Sequence, residues 1–253
     1  MDPEALRDAM VSSLEHETSG AVRSADVAAA MRAVPRHEFV EVGPDRAYLD
    51  RDFTHLGSRV VAPSTTARLV EAVDAGDGHS VLVVGAGVGY TAAVLAEVVG
   101  ARNVHAVDIT RALVSEARRN LGDAGYRDVL VDCADGAEGL AHYAPFDRIL
   151  VEAAAVRPPA ALREQLAPGG RLVLPLGRAD QTLAAVEPDA ADADDRGVVA
   201  EFGPVAFDPL LVEGEQYGAV ERNRSAREER ERSARAARSR SGWEQEWIDW
   251  DDR

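Results

Sequence analysis

The sequence predicts an α/β fold in which a seven-stranded, mostly parallel sheet carries helices on both faces. Three observations predict it. An apolar run ends in three closely spaced glycines at residues 80–89, short apolar and helix-forming segments then alternate up to residue 176, and two further apolar segments follow. Such alternation requires right-handed crossovers and a parallel sheet covered on both sides. At 253 residues and 46% hydrophobic content, the chain is long enough for one such core and an appendage.

The segment before the sheet is predicted to be mainly helical. Three helices are expected there, at residues 3–17, 24–34 and 63–75. Ser24 offers an N-cap oxygen to the second helix, and Pro35 ends it. We therefore divide this part of the chain into an N-terminal helical extension, residues 1–62, and a main domain, residues 63–216.

Strands and helices alternate through the main domain. The five parallel strands are predicted at residues 80–84, 103–107, 128–132, 146–151 and 170–176, and the helices at 90–99, 110–123 and 159–167. Two antiparallel strands are expected near 181–187 and 198–207. The acidic residues 188–197 between them are interpreted as a solvated hairpin loop, since nothing in that stretch sets the ligand spacing of a metal site. No metal is predicted.

The composition changes after about residue 217, and we assign residues 217–253 to a charged tail. Nine Arg and nine acidic residues make positions 221–253 neutral, so the body carries the whole net charge of −16. Residues 222–240 lack large apolar side chains and are predicted to be a solvated helix or disordered. The three tryptophans that follow are spaced to share one helix face, which indicates docking onto the body or onto a partner. Of the two, we favour docking onto the body.

The charge and the cysteine count restrict the class of protein. All 28 basic residues other than His are Arg, and the acid excess argues against a nucleic-acid partner. An acidic, Lys-free chain is typical of salt-loving, haloarchaeal-like cells; a GC-rich genome would explain the Arg but not the acids. A single cysteine, Cys133, the acidic start of the chain and the lack of a long uncharged run predict a cytoplasmic protein without a membrane segment. The oligomeric state stays open, a monomer included.

The three glycines predict a ligand site. Gly85, Gly87 and Gly89 follow a buried strand and precede a helix, where a tight turn lets a ligand approach the backbone near the helix N-terminus. Asp108 ends the next strand, nineteen residues after Gly89. An acid about 20 residues on is typical of a ribose-hydroxyl contact in this architecture. The ligand is therefore expected to contain a nucleoside.

The spacing of the glycines narrows the choice of nucleoside. Dinucleotide-binding proteins have G-x-G-x-x-G, whose third glycine would fall at position 90, where this chain has Tyr90. The G-x-G-x-G form is typical of Rossmann-like class I methyltransferases, which bind S-adenosyl-L-methionine. Two antiparallel strands after five parallel ones fit the sheet of that class.

Five ordered blocks resemble the protein-L-isoaspartate O-methyltransferase family, from about residue 34 to about residue 211. They are VPRHEFV, AYLDRDF, VLVVGAGVGYTAAVLAEVVG, YAPFDRILVEAAA and LREQLAPGGRLVLPLG. The resemblance implies the class I fold and S-adenosyl-L-methionine as methyl donor. It further implies methyl transfer to the carboxylate of L-isoaspartyl residues in damaged proteins, so a protein or peptide carrying such residues is the expected partner.

The resemblance also assigns residues to the cofactor. They are Gly85, Ala86, Gly87, Gly89, Tyr90, Asp108, Ile109, Asp135 and Gly136. The glycines would line its methionine and ribose side, Asp108 would hold the ribose hydroxyls, and Asp135 would accept from the adenine amino group. Each acid has a plainer alternative: Asp108 caps the helix that follows it, and Asp135 stabilises a turn.

The acceptor loop departs from the family's pattern. The family has T-I-S-x-P here, and its hydroxyls bind the isoaspartyl carboxylate. The motif aligns with residues 59–63, where this chain has Arg59 in place of the threonine and Val61 in place of the serine. The candidate acceptor residues are therefore Val61, Arg59 and Ser58. Arg59 would pair with an anionic substrate or is a surface cation, and Ser58 or Ser64 would supply a hydroxyl from one side.

Two further positions differ. The family's acid two residues before the first glycine is Val83 here, and the first residue of its T-A-A-A block is Glu152. A Glu152 facing the substrate would repel a carboxylate and favour another acceptor. Three hypotheses follow: an isoaspartyl methyltransferase with an altered loop, which the five blocks favour; a methyltransferase of this fold with another acceptor; or a non-catalytic cofactor-binding or scaffolding protein.

Overall fold

The structure is a computed structural model that describes residues 2–16, 20–56, 58–188, 190 and 197–210. They belong to one compact unit, Met1–Ala219. The predicted tail with its three tryptophans, and most of the acidic loop before residue 197, lie outside the described residues. The division into residues 1–62, 63–216 and 217–253 stays a prediction.

Nine strands and seven α-helices make up the described part of the chain. The strands are β1 (Phe53–His55), β2 (Ser58–Val60), β3 (Val81–Val84), β4 (Val104–Asp108), β5 (Leu130–Cys133), β6 (Phe146–Val151), β7 (Leu166–Leu176), β8 (Gln181–Val186) and β9 (Val198–Val205). The helices are α1 (Pro3–Glu15), α2 (Ala25–Ala33), α3 (Pro44–Ala47), α4 (Pro63–Val73), α5 (Tyr90–Val99), α6 (Arg111–Asp123) and α7 (Ala160–Glu164).

The predicted seven-stranded sheet is confirmed. Its strand order is β5-β4-β3-β6-β7-β8-β9. The first five strands of this order are parallel to one another. Strand β8 pairs in an antiparallel manner with β7 on one side and with β9 on the other. The order reverses between β4 and β6, which flank β3, and ligands of open α/β sheets bind at such a switch point, outside the carboxyl ends of the strands.

Two apolar cores cover the two faces of this sheet. Alternate residues of β3 point to opposite faces, so Val81 and Val83 join one core while Leu82 and Val84 join the other. The first core also contains apolar residues of α1, α2, α4, α5 and α6, and the second contains Leu162 of α7. The N-terminal helices α1 and α2 share the first core with the sheet. They therefore hold the segment that follows α2 close to the sheet.

Local sequence signals explain where α1 and α2 begin and where α2 ends. Asp2 accepts a hydrogen bond from the Glu4 N–H at the start of α1, and the Ser24 side chain accepts from the Val27 N–H at the start of α2, as predicted. Helix α2 ends at Ala33, just before the Val34-Pro35 pair. Each cap satisfies one of the N–H groups that have no partner within the helix.

Three details differ from the sequence prediction. The turn-rich stretch before residue 63 contains the hairpin β1–β2 and the short α3, which its weak periodicity did not reveal. Helix α7 covers five residues rather than the predicted 159–167. Strand β7 begins at Leu166, before the Pro168-Gly169-Gly170 turn, because Leu166 already pairs with Phe146 and the turn residues form an irregularity in the β6–β7 pairing.

The described helices were also searched for membrane spans. None of them combines the length and the apolar character that crossing a bilayer requires.

Candidate active site

The carboxyl ends of four neighbouring strands bring the predicted site residues to one edge of the sheet. The glycine loop starts directly after β3, and Asp108 is the last residue of β4. Asp135 follows β5 by two residues, and Glu152 directly follows β6. An acidic residue therefore lies at the carboxyl end of each of the two strands that flank β3, and a third acidic residue lies after β5.

The glycine loop requires backbone conformations that other residues rarely adopt. Gly85, Gly87 and Gly89 have φ values of 91°, 52° and 92°. The N–H groups of Gly85 and Ala86 donate to the Val107 carbonyl at 2.8 and 3.0 Å, so they are already used within the protein. A Cβ on Gly87 would meet nothing within 4 Å. A ligand could therefore come close to the backbone at Gly87. The loop does not, however, offer the row of free N–H donors that the motif implies.

Asp108 is fixed in position by two backbone donors. Its Oδ2 accepts from the Gly87 N–H at 3.0 Å and its Oδ1 from the Thr110 N–H at 2.8 Å. Burial raises the pKa of this carboxyl above its ordinary value, and the two backbone hydrogen bonds oppose the rise. The Thr110 side chain also donates to this carboxylate, and the remaining lone pair leaves acceptor capacity for a ribose hydroxyl. The capping alternative and the binding hypothesis are therefore compatible.

Asp135 and Gly136 form the next corner of the edge. The Asp135 side chain is exposed and its Oδ1 accepts from the Ala137 N–H at 2.9 Å, which is the turn-stabilising contact that the plainer alternative expects. A Cβ on Gly136 would overlap Cγ1 of Val84. The glycine thus lets the loop after β5 pack directly against the end of β3, and the assignment of both residues to the cofactor stays a prediction.

The side chain of Tyr90 lies in the core rather than at the edge. It is 2% exposed, packs edge-to-face on Phe39, and lies under the Arg36 guanidinium, whose Cζ is 4.6 Å from the ring centroid. Burial raises the pKa of its phenol to about 12. Any cofactor contact of Tyr90 would therefore come from its main chain. Ala86 is buried and Ile109 is half-buried beside Asp108.

A buried arginine holds the predicted acceptor loop. Arg36 is 0% exposed, and its Nη2 donates to the Val61 carbonyl at 2.7 Å while its Nε donates to the Ala47 carbonyl at 3.1 Å. Burial lowers the pKa of its guanidinium. Val61 is 5% exposed, so its backbone is fixed by Arg36 and its side chain is packed. Sequence reasoning missed this residue, although it stands in the VPRHEFV block.

Two aspartates organise the same loop from the other side. Asp52 Oδ1 accepts from the Ala62 N–H at 2.7 Å, and Asp50 Oδ1 accepts from the Ser64 N–H at 2.9 Å, at the start of α4. The other oxygen of Asp52 pairs with Arg59 Nη1 at 3.2 Å. The AYLDRDF block contains both aspartates, and their alternation was the available signal for a shared structural role.

Arg59 has partners within the protein. Besides its ion pair with Asp52, its Cζ lies 5.4 Å from the centroid of the Phe207 ring. Its charge is therefore already neutralised by an aspartate, which weakens the hypothesis that it binds an anionic substrate. Ser58 is half-buried in the hairpin partner of β1, where it pairs with His55. The side chains of Arg59, Val61 and Ser58 do not reproduce the pair of hydroxyls in the family's loop.

The hairpin β1–β2 lies close to α6 at a histidine. His55 Nε2 lies 3.5 Å from Glu116 Oε1 of α6, and His55 Nδ1 lies 3.7 Å from Glu41 Oε2. Glu116 also pairs with Arg119. One ligand atom from each of the three side chains, Glu41, His55 and Glu116, lies within 4.8 Å of the other two, as a metal site would need. The two carboxylates face opposite nitrogens of one ring, whereas the ligands of a metal ion converge on one point.

Glu152 lies beside the glycine loop, directly after β6. Its N–H donates to the Val84 carbonyl at 2.8 Å, and a Cβ on Gly85 would lie 3.4 Å from the Glu152 Cβ. Burial raises the pKa of its carboxyl to about 7. A hydrogen bond from the Thr91 side chain lowers the pKa, the Asp108 carboxylate raises it, and the Arg36 charge lowers it. Its carboxyl thus lies on the glycine-loop side of the edge.

Comparison with known proteins decides the family. The family described as Protein-L-isoaspartate(D-aspartate) O-methyltransferase (PCMT) matches residues 6–214. The chain belongs to this family. A relative from Methanosarcina mazei named protein-L-isoaspartate O-methyltransferase is 39% identical over 212 residues, which cover 82% of this chain and 84% of the relative.

Solved structures agree with this membership. One titled protein-L-isoaspartate O-methyltransferase has a TM-score of 0.71 and 26% identity, over 83% of this chain and 67% of the other. A second, a beta-aspartate methyltransferase from Plasmodium falciparum in complex with S-adenosyl-L-homocysteine, has a TM-score of 0.68 and 20% identity, over 81% of this chain and 98% of the other. At that identity the second likeness speaks for the fold alone. The Rossmann-like methyltransferase fold that the glycine spacing and the five blocks predicted is confirmed.

Proposed function

We propose that this protein transfers a methyl group from S-adenosyl-L-methionine to the carboxylate of L-isoaspartyl residues in damaged proteins. Membership of the protein-L-isoaspartate O-methyltransferase family carries the proposal. The site geometry supports it, because a positive-φ glycine loop and a fixed, buried aspartate stand side by side at the switch point of the sheet. A non-catalytic role is disfavoured on the same grounds.

The residues at the edge of the sheet fit this cofactor. The glycine loop leaves open space at Gly87, Asp108 keeps acceptor capacity at a strand end, and Asp135 exposes a carboxylate after β5. We propose that Asp108 holds the ribose hydroxyls and that Asp135 accepts from the adenine amino group. When bound, the cofactor supplies an electrophilic methyl group on a sulfonium.

The protein's part in the reaction is to position the acceptor. A carboxylate is already a nucleophile, so no general base is required, and the site has to align it and exclude water. We propose that Val60, Val61 and Ala62, which are all buried, form an apolar wall beside the acceptor. Their backbone is held by Arg36 and Asp52, so positioning relies on a fixed apolar loop in place of the family's two hydroxyls.

The proposed division of labour follows the predicted segments. Residues 1–62 bring the helices and the hairpin that carry the acceptor loop, and residues 63–216 provide the cofactor edge. The tail, residues 217–253, is proposed as a separate charged segment.

We propose that the protein acts in a cytoplasm of high salt concentration, without a nucleic-acid partner. The net charge of −16 and the complete absence of Lys support the high-salt setting, since a hydrated acidic surface stays soluble when salt screens its self-repulsion. The single, exposed Cys133 fits a reducing compartment. Activity that rises from low to molar KCl would support this setting, and activity lost in molar KCl would refute it.

The deciding experiment is a methyl-transfer assay with the full chain in molar KCl. Radiolabelled S-adenosyl-L-methionine is supplied with a peptide that contains one isoaspartyl residue, and the matched control is the same peptide with an ordinary aspartyl residue. We expect label in the isoaspartyl peptide only. The label should be released as methanol at alkaline pH, because a carboxyl methyl ester is base-labile.

A second candidate is methylation of another acceptor by the same fold, and the apolar Val61 in the acceptor loop favours it. Labelled products in a cell extract together with an unlabelled isoaspartyl peptide would support this candidate and refute the first.

A further inference from the structure

Glu152 is a carboxyl at the sheet edge that the proposed function has not yet used. It directly follows β6, its N–H is bonded to the end of β3, and it lies beside Gly85. Its side chain is hydrogen-bonded to Thr91 in the first turn of α5. These contacts all belong to the glycine loop and its two flanking elements, and none of them belongs to the hairpin β1–β2.

The charges around Glu152 leave it without a paired cation. Among the described residues no ion pair joins its carboxylate to an Arg or a His. The groups that act on it are the Asp108 carboxylate, the Arg36 guanidinium and the Thr91 hydroxyl. Arg36 already donates to two carbonyls. A half-buried acid beside another acid is stabilised by a cation that enters with a ligand.

The order of strands decides which part of the cofactor reaches Glu152. Along the edge, Asp135 follows β5, Asp108 ends β4, the glycines follow β3, and Glu152 follows β6. In the cofactor the ribose joins the adenine to the methionine moiety. With the adenine toward β5 and the ribose at β4, the methionine moiety extends over β3 toward β6, about 10 Å from β4 at the usual strand spacing. That moiety carries the ammonium group.

Strand β3 itself offers no acid for an ammonium group. Its four residues, Val81–Val84, are all apolar and buried. The nearest carboxyl beyond the glycine loop on the β6 side is therefore Glu152.

We propose that the Glu152 carboxylate binds the ammonium group of the cofactor's methionine moiety and so fixes that end of the cofactor at the β3–β6 corner. The inference rests on the proposed function, because it takes the adenosyl cofactor as the ligand of this edge. It replaces the interpretation of Glu152 as a group that repels the substrate carboxylate.

Binding of a cation by this carboxyl has a pH signature. With a pKa of about 7, Glu152 is partly protonated near neutrality in the ligand-free protein. An ammonium partner binds the ionised form, so binding releases a proton below pH 7 and weakens as the pH falls. The affinity for S-adenosyl-L-homocysteine should drop about tenfold from pH 8 to pH 6, because the ionised fraction drops by about that factor.

The experiment measures binding by isothermal titration calorimetry with the full chain in molar KCl. Three ligands separate the groups of the cofactor. S-adenosyl-L-homocysteine has the ammonium but no sulfonium, S-adenosyl-L-methionine has both, and 5′-methylthioadenosine has neither. We expect E152Q to weaken the first two about tenfold or more, as loss of a charge-assisted hydrogen bond predicts, and to leave the third unchanged. The pH dependence should also disappear in E152Q.

The matched control is E164Q, which removes the same charge from an exposed glutamate at the end of α7 and should leave all three affinities unchanged. Unchanged binding of S-adenosyl-L-homocysteine by E152Q would overturn the inference. Weakening of S-adenosyl-L-methionine alone would assign the carboxylate to the sulfonium, and equal weakening of 5′-methylthioadenosine would make its role structural; both overturn it. A wild-type protein that binds none of the three ligands refutes the proposed function as well.

Discussion

The two halves of the candidate site are built from different structural elements. The cofactor half consists of strand ends and tight turns, in which Asp108 is held by the backbone N–H groups of Gly87 and Thr110. The acceptor half is a hairpin and a loop that depend on side chains from elsewhere, chiefly Arg36 and Asp52. The sheet alone fixes the first half, whereas the second half needs residues that are distant in sequence. Such a loop tolerates replacement of its hydroxyls by apolar residues because its position does not depend on them.

The largest effect is expected from D108A, which tests whether the cofactor half of the site lies at the end of β4. The variant removes the acceptor of two backbone donors and of the proposed ribose hydroxyls. We expect the dissociation constant of S-adenosyl-L-homocysteine to rise about 100-fold or more, which calorimetry measures. D128N, at an exposed aspartate paired with Arg102, is the control. Wild-type affinity in D108A would show that the cofactor half is not at this strand end.

R36M tests whether the acceptor half depends on the buried arginine. The variant leaves the carbonyls of Ala47 and Val61 without their donor, and we expect the free energy of unfolding to fall by about 2–4 kcal/mol. Denaturant unfolding at constant salt measures the change. R102M removes an arginine that is exposed and should cost less than about 0.5 kcal/mol. Equal losses in both variants would contradict the role assigned to Arg36.

G136A sharpens the account of how the strand ends pack. The added Cβ overlaps the Val84 side chain, so we expect a loss of about 1–3 kcal/mol in stability. The double variant G136A/V84A makes room for that methyl group and should recover part of the loss, which a double-mutant cycle measures. Additive losses in the cycle would mean that the two residues do not contact each other.

V61S sharpens the comparison on the acceptor side and has the smallest expected effect. It restores one hydroxyl to the loop, and a single hydrogen bond to the acceptor should raise kcat/KM for an isoaspartyl peptide about 2- to 10-fold. V61A is the matched control, since it opens the same space without a hydroxyl. A gain in V61A equal to that in V61S would assign the effect to space and remove the hydroxyl from the explanation.

The strands and turns that form the cofactor half could be predicted from the sequence, whereas the hairpin and the long-range contacts of the acceptor half could not, for a physical reason. Strands such as Val81–Val84 and the glycines after them carry their signal locally, in apolar runs and in turns that only glycine allows. The hairpin β1–β2 has strands of three residues each, too short for a period to show. The contact of Arg36 with Val61 spans 25 positions, and no local pattern encodes it.

Glu152 shows the same limit at a single residue. The sequence showed that Glu152 departs from the family's pattern, but it did not reveal which elements the residue packs against. Only the pairing of β6 with β3 places it beside Gly85, and the direction of its charge interactions follows from that pairing.

The most direct test of the account is a crystal structure of the full chain with S-adenosyl-L-homocysteine. The account predicts the ligand across the carboxyl ends of β5, β4, β3 and β6, with its ribose hydroxyls on Asp108 and the buried loop around Val61 facing its sulfur. A ligand found elsewhere, or a crevice filled by the protein's own side chains at saturating ligand, would contradict it.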